Sequence, residues 1–261
     1  MVRLSFGEKN FIRGGIAQNL RCDGRKRLSV KAELGRPNLS QPDKGKVSIH
    51  IDCSATAAPI FQSQGKGGEA LSTELAADLQ CCLLDGKSGA GAGIDLSSLS
   101  IVEGKVCWDL YIDGLVVSSD GNMLDTLGAA IKATLSDTGI PKVNVIAADS
   151  TSAGDQPEVD VSDEEFLQFN TSAVPVIVTV TKVGKHYIVD ATEEEESQMS
   201  SAMSVSINRK GLICGLSKRG GAGVDPSIVL DMISVTKHVS ENFVNKLDSE
   251  IAAAEAPEEE S

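Results

Sequence analysis

Aromatic side chains are scarce in this chain of 261 residues, since one Trp, two Tyr and six Phe make up 3% of it. Because apolar residues still reach 41%, aliphatic side chains and alanine must supply most of the core. No apolar run is long enough to cross a bilayer, and the first residues lack the apolar stretch of a secretory leader. The sequence therefore predicts neither a membrane span nor a signal peptide.

Residues that bind metals or serve as nucleophiles are few and scattered. The three histidines show neither a zinc-binding spacing nor a catalytic triad; they are His50, His186 and His238. The six cysteines include no Cys-x-x-Cys pair and lie mostly in apolar segments. This pattern favours reduced thiols in a core over disulfides or zinc. We therefore expect no metal ion and no cofactor.

Basic residues are outnumbered by acidic residues, so the formal net charge is -13 and the pI is about 4.7. A protein that binds nucleic acid by itself usually carries a basic face. Lys218 and Arg219 lie beside two glycines and could contact a phosphate, although a plain basic loop is an equally good interpretation. The candidate RNA-binding residues are Arg25, Lys26, Arg27, Lys218 and Arg219.

The most informative stretch covers residues 106–141. Its first part is apolar and β-branched, which predicts a buried strand, and Asp120-Gly121 then marks a turn. Apolar residues recur at helical spacing after the turn, at Leu124, Leu127, Ala130, Ile131 and Leu135. A glycine turn that enters a helix can offer backbone N–H groups to a phosphate.

The other patterns predict an α+β fold in two blocks. The first block has strands at residues 29–33, 46–52 and 142–147, and a helix at 69–84 with one stripe of leucines. The second has hairpins at 174–189 and 202–217, separated by an acidic helical turn at 191–197, and a final helix from Asp225-Pro226. The predicted units are an N-terminal arm (1–28), a first domain (29–148), an acidic linker (149–165), a second domain (166–251) and an acidic tail (252–261).

Two short motifs have competing interpretations. Gly86-Lys87-Ser88 is similar to the end of a phosphate-binding loop, but Cys81 stands where that motif needs a glycine, and the segment follows a helix. A flexible glycine loop is therefore favoured. The four glutamates at 193–196 could form an acid/base or metal cluster, but a solvated acidic surface is the commoner outcome.

Five segments together resemble the RNase PH family, namely residues 21–25, 47–59, 108–141, 187–192 and 218–225. The resemblance runs in order through nearly the whole chain and is strongest to the non-catalytic members of the RNA exosome core ring. It implies a ribosomal-protein-like β-α-β-α first block and a second block with an antiparallel sheet and helices. It also implies a ring of six related subunits around an RNA channel, whose active members degrade RNA from the 3′ end with inorganic phosphate.

The same resemblance implies that this chain lacks the residues that degrade RNA with inorganic phosphate in active members. Leu124 occupies the position of a phosphate-binding arginine, and the two catalytic aspartates fall at Glu196 and Ala202. Positions that offer arginines to RNA in archaeal relatives hold Ala77, Cys81 and Leu84. We therefore expect a structural, non-catalytic subunit that supports 3′-to-5′ RNA processing, including rRNA maturation and mRNA turnover. Its expected partners are other RNase-PH-like ring subunits, cap subunits and the RNA inside the assembled ring. Its expected locations are the nucleus, the nucleolus and the cytoplasm.

Two alternatives remain at this point. One is an active phosphate-dependent 3′-to-5′ exoribonuclease, against which the substitutions at Leu124 and Ala202 argue. The other is a stand-alone RNA-binding module, which the net charge of -13 disfavours.

The resemblance also predicts a missing element. Family members have a β-hairpin before the strand at residues 29–33, whereas here Arg27 is followed directly by that strand. We therefore expect one edge of this strand to be unpaired, and part of the helix stripe formed by Leu71, Leu75 and Leu79 to be poorly covered.

Overall fold

The computed structural model describes residues 28–54, 57, 66–84, 93–146 and 158–255. The first block comprises β1 (Leu28–Gly35), β2 (Lys46–Cys53), α1 (Lys66–Leu84), a 3-10 helix (Leu96–Leu99), β3 (Ser100–Val102), β4 (Val106–Val116) and α2 (Met123–Ser136). A two-stranded sheet follows, of β5 (Gly139–Ile146) and β6 (Glu158–Gln168). The second block comprises β7 (Val176–Val183), β8 (His186–Val189), α3 (Glu193–Ser197), β9 (Ser201–Ile207), β10 (Ile213–Arg219) and α4 (Pro226–Glu255).

The strand β4 is the centre of the first sheet. It pairs antiparallel with β1 on one side and parallel with β2 on the other. A parallel pair needs a crossover connection, and α1 lies in the connection between β2 and β4. Leu110 and Ile112 are buried on one face while Tyr111 and Asp113 are exposed on the other, which is the period-two pattern of a strand.

The second sheet has the order β10-β9-β7-β8 and is antiparallel throughout. Ile177 points to α2, where it lies so close to Gly128 that an added Cβ would be 2.9 Å from its Cδ1 atom. Val180 belongs to a separate apolar cluster with Met232 of α4. Helices therefore cover both faces of this sheet, and the predicted two-block α+β fold is confirmed.

The prediction of a poorly covered leucine stripe is wrong. Leu75 is 2% exposed, Leu79 and Leu83 are fully buried, and only Leu71 is half-buried. The reason is that α1 packs against β2 on one side and against β10 of the second block on the other. In the part of the chain that the structure describes, β1 pairs with β4 alone, so the predicted unpaired edge is present there.

The predicted acidic linker needs a correction in its second half. Residues 158–165 belong to β6, which pairs antiparallel with β5 through partners such as Val161 with Val143 and Val159 with Val145. The acidic side chains of this segment conceal the alternation of its valines in the sequence. The partner strand β5 precedes it in the chain, before the undescribed residues 147–157. The first half of the linker lies in that range, outside the described residues.

The C-terminal boundary is also corrected. The helix α4 continues to Glu255, past the predicted start of the tail at residue 252, because alanine at 252–254 is the strongest helix former. Leu28 belongs to β1, whereas the rest of the predicted arm, the motif at Gly86-Lys87-Ser88 and residues 256–261 lie outside the described residues. None of the described helices is long and apolar enough to cross a membrane.

The contact between α1 and β10 generates a test of how the two blocks support each other. A Cβ at Gly215 would lie 2.6 Å from the Cys81 carbonyl oxygen, which belongs to the backbone and cannot easily move. We expect Gly215→Ala to lower the free energy of unfolding by about 1–3 kcal/mol, the usual range for overpacking. Urea denaturation measures this change.

The matched control is Gly223→Ala, because an added Cβ at Gly223 meets no atom within 4 Å. Its stability should stay close to that of the natural chain. Equal stability of the two variants would show that the close contact between α1 and β10 is absent in solution.

Candidate functional site

The turn between β4 and α2 touches the second block. Gly121 has φ +93° and Asn122 has φ +46°, so both residues adopt the left-handed conformation. A side chain at Gly121 would collide with the carbonyl oxygen of Ala191, which makes glycine necessary here. The backbone N–H of Glu193 donates to the Asp120 carbonyl oxygen at 3.2 Å. The turn is thus held against the loop that precedes α3.

The short helix α3 directs a carboxylate back into this turn. It begins with a capping box, in which the Glu195 N–H donates to Thr192 Oγ1 at 3.4 Å and the Thr192 N–H donates to Glu195 Oε2 at 2.9 Å. One residue later, Glu196 Oε1 accepts a hydrogen bond of 3.1 Å from the Asn122 N–H. The backbone N–H that could have met a phosphate therefore binds a carboxylate of the same chain.

Glu196 also has a basic neighbour. Arg219 Nη2 lies 3.7 Å from Glu196 Oε1, close enough for an ion pair but too far for a hydrogen bond. The Arg219 Nε and Nη2 atoms are buried and have no hydrogen-bond partner among the described residues. The Glu196 side chain is only 19% exposed, so the predicted solvated surface holds for the three preceding glutamates and is wrong for this one.

The side chains of the predicted basic pair, Lys218 and Arg219, point to opposite faces of β10. Arg219 turns inward with a side chain only 16% exposed, whereas Lys218 is exposed and its Nζ donates to the Gly220 carbonyl oxygen at 2.9 Å. Successive residues of a strand point to opposite faces, so the two side chains form no common surface. Arg25, Lys26 and Arg27 lie outside the described residues. Contact of these five residues with RNA stays a prediction.

Two positions at which the resemblance predicts a lost catalytic group, Leu124 and Ala202, are apolar and buried. Leu124 is fully buried in the main core cluster, and Ala202 is 1% exposed in β9. On α1, Ala77 is exposed while Cys81 and Leu84 are half-buried, so this helix presents no arginine at the three positions. The described residues contain no group of three or more side chains arranged to hold a metal ion.

Asp125 is a buried carboxylate that the sequence analysis missed. Its Oδ2 atom accepts from the Thr179 N–H at 2.8 Å and its Oδ1 atom from Thr179 Oγ1 at 2.6 Å. Because Thr179 Oγ1 donates to this carboxylate, it must accept at 2.7 Å from Ser204 Oγ. The three side chains join α2 to β7 and β9. An aspartate between two buried leucines, on the apolar face of a predicted helix, was the available signal.

Burial raises the pKa of the Asp125 carboxyl from 3.8 to about 6. The hydrogen bonds from Thr179 act in the opposite direction because they stabilise the charged form, and Asn122 and Arg219 add smaller effects of the same sign. The carboxyl therefore titrates close to physiological pH in the folded protein.

Comparison with known proteins places this arrangement in a family. Residues 28–141 match domain 1 of the 3′ exoribonuclease family, and residues 173–238 match its domain 2. The chain belongs to this RNase PH family. The resemblance stated from the sequence is thus confirmed, and the linker between the two matched regions contains β6.

Relatives with the same domains are similar over most of their length. A Dictyostelium discoideum protein named as an exosome complex exonuclease of the RRP42 type is 29% identical, with 95% of this chain and 98% of the relative covered. The exosome complex component Rrp42 of Methanopyrus kandleri is 31% identical, with 78% and 70% covered. The component RRP45A of Arabidopsis thaliana is 27% identical, with 88% and 81% covered.

Solved structures support the fold. A chain of the Archaeoglobus fulgidus exosome with RNA bound to the active site aligns with a TM-score of 0.62 at 23% identity, covering 92% of this chain and 97% of that one. A chain of an archaeal exosome core aligns with a TM-score of 0.60 at 20% identity, covering 92% and 96%.

The alignment with the Dictyostelium protein also shows a difference in length. It extends over 325 positions, whereas 95% of this chain of 261 residues is only about 248 residues. Roughly 77 positions, the difference between 325 and 248, therefore face gaps in this chain. The relative is therefore longer than this chain within the aligned region.

The pKa of Asp125 leads to a prediction about pH. The folded state binds this proton more tightly than the unfolded chain, so the stabilisation is complete below about pH 4 and is lost as the pH rises through about 6. We expect Asp125→Asn to remove this loss, which amounts to at most about 1.4 kcal/mol per pH unit. Urea denaturation of both proteins across this pH range measures the difference in slope.

The control is Asp231→Asn, which changes an exposed carboxyl on α4 and should keep the slope of the natural chain. If Asp125→Asn and the natural chain lost stability in parallel between pH 4 and 6, the carboxyl of Asp125 would not be buried as described.

Proposed function

We propose that this chain is a non-catalytic structural subunit of the RNA exosome core ring. The proposal is supported by membership of the RNase PH family, by coverage of nearly the whole length of a relative named for the exosome, and by a fold shared with archaeal exosome chains. Its partners would be other RNase-PH-like ring subunits, cap subunits and the RNA in the channel. Its role would be to support 3′-to-5′ processing, including rRNA maturation and mRNA turnover.

The observation that carries the non-catalytic part is the burial of apolar side chains at Leu124 and Ala202. In addition, the Glu196 carboxylate accepts from the Asn122 N–H and lies beside Arg219, at the turn where the resemblance places phosphate in active members. A second anion at this place would meet like charge and would have to break an existing hydrogen bond. Leu124 offers no guanidinium to a phosphate, and Ala202 has no proton to give to a leaving group.

The second candidate is an active phosphate-dependent exoribonuclease. The printed name of the Dictyostelium relative favours it, and so do the two unpaired nitrogens of Arg219, which could contact an anion if Glu196 moved away. Catalysis would still lack a proton donor at Ala202, so we favour the structural role.

Net charge also fits a subunit that shares its RNA with neighbours. At -13 the chain repels a polyanion, and a channel formed by several subunits can supply the positive charge from other chains. We further propose that the protein occurs in the nucleus, nucleolus and cytoplasm, as expected for this role. Imaging of a fluorescent fusion in living cells would show exclusion from one of these compartments if the proposal is wrong.

The test combines isolation and assay. Affinity purification of the natural chain should recover other RNase-PH-like subunits. The purified chain should release no nucleoside diphosphates from single-stranded RNA in phosphate buffer, because the arginine and the aspartate are missing. Glu196→Ala should be equally inactive, since opening the phosphate position restores neither group.

Two results would contradict the proposal. Phosphate-dependent release of nucleoside diphosphates by the natural chain, above the level of Glu196→Ala, would identify an active enzyme. Recovery of the chain without any ring subunit would argue against membership of the assembly.

A further inference from the structure

The strand β1 has one open edge. In the part of the chain that the structure describes, β1 pairs with β4 on one side, and no strand pairs with its other side. An edge of this kind exposes a row of backbone N–H and C=O groups, which can pair with a strand of another chain. At eight residues, β1 is longer than the usual strand of about five or six, so the row is a long one.

This edge lacks two of the features that usually prevent such pairing. The sequence of β1 contains no proline, and its eight residues pair with β4 in consecutive register without a bulge. The remaining protection is the charge of Lys31 and Glu33, which form an ion pair with each other on the solvent face and have side chains 69% and 46% exposed. Whether the edge accepts a second strand therefore depends on the charges which that strand places opposite these two.

The other face of β1 is apolar and incompletely covered. Leu28, Val30 and Ala32 are half-buried and pack against the main core cluster. Leu34 points to the same face, because alternate residues of a strand share a face, but it is 41% exposed. A strand that pairs with this edge would need an apolar side chain opposite Leu34 to cover it.

A second copy of β1 meets both requirements when the two strands run antiparallel with Ala32 opposite Ala32. Lys31 of each copy then lies opposite Glu33 of the other, which gives two pairs of opposite charge. On the apolar face, Leu34 of each copy lies opposite Val30 of the other. The edge of β1 is therefore complementary to itself in this register.

The neighbouring registers are unfavourable. A shift by one residue would place the solvent face of one strand opposite the apolar face of the other. Antiparallel pairing about Lys31 would bring two lysines face to face, and pairing about Glu33 would bring two glutamates face to face. Charge and burial thus both favour the register about Ala32.

We propose that two copies of this chain associate through antiparallel pairing of their β1 strands, centred on Ala32. The same surface of each copy forms the contact, so the two first sheets join into one. One strand from each copy gives a contact smaller than the roughly 1,600 Å² of a standard stable interface, so the dimer is weak and forms at high protein concentration. This association does not depend on whether the chain is catalytic or belongs to a ring.

Sedimentation velocity of the full chain over a series of concentrations tests the proposal. The natural chain should shift from monomer to dimer as the concentration rises. Lys31→Glu and Glu33→Lys should each raise the dissociation constant by about tenfold, because each places like charges opposite each other at two positions of the dimer. Both side chains are exposed, so neither substitution should disturb the fold.

An equimolar mixture of the two variants is the sharpest test. One copy then carries two glutamates at these positions and the other carries two lysines, so the register about Ala32 pairs opposite charges throughout. The mixture should dimerise at least as strongly as the natural chain, at a concentration where each variant alone is mainly monomeric.

The matched control is Lys185→Glu, which makes the same change in net charge at an exposed position of the turn between β7 and β8. It should dimerise like the natural chain, because it lies outside the proposed contact. Weakening by this variant equal to that of Lys31→Glu would show that net charge, and not the register of β1, governs the association.

Three further results would overturn the proposal. They are a natural chain that stays monomeric at every concentration, single variants that dimerise as strongly as the natural chain, and a mixture that dimerises no more strongly than either variant alone. The first would show that the edge of β1 is not open to a second copy. The other two would place the dimer contact on another surface.

Discussion

The buried carboxylate of Asp125 joins the two blocks one turn from Gly121 and Asn122. Its two hydrogen bonds from Thr179 offset part of the free energy that burial of a charge requires. The close approach of Gly128 to Ile177 adds apolar contact along the same helix. Because α2 is fixed at its first turn, the residues just before it are fixed as well.

The hydrogen bond from the Asn122 N–H to the Glu196 carboxylate is a consequence of this fixed geometry. Gly121 and Asn122 can meet the loop at Ala191 only because both take the left-handed conformation. The capping box of α3 then sets the direction of the helix, which carries Glu196 to the Asn122 N–H. The turn therefore forms an internal contact between the blocks, in which its Asn122 N–H binds a carboxylate of the same chain.

The first block depends on the second block for its packing. Its sheet of β1, β4 and β2 leaves α1 with a second apolar side, and β10 covers that side at the very close approach of Gly215 to Cys81. One edge of β1 therefore has no partner in the described chain, whereas Leu75, Leu79 and Leu83 of α1 are buried.

The sequence by itself determined the local elements. The alternation in β4, the leucine spacing of α1 and the Asp-Pro start of α4 are properties of neighbouring residues, and each predicted element was found. The resemblance located the substitutions at Leu124 and Ala202, because they are read directly from an aligned position. Together these were enough for the fold class, the family and the expectation of lost catalysis.

Only the tertiary structure decided what depends on partners far along the chain. The strand β6 appears in an acidic segment because β5 pairs with it, and Arg219 turns inward because its strand places alternate residues on opposite faces. Glu196 meets Asn122, which is 74 residues away, and Asp125 meets Thr179, which is 54 residues away. Such contacts leave no local periodicity in the sequence, since their geometry exists only after both blocks have packed.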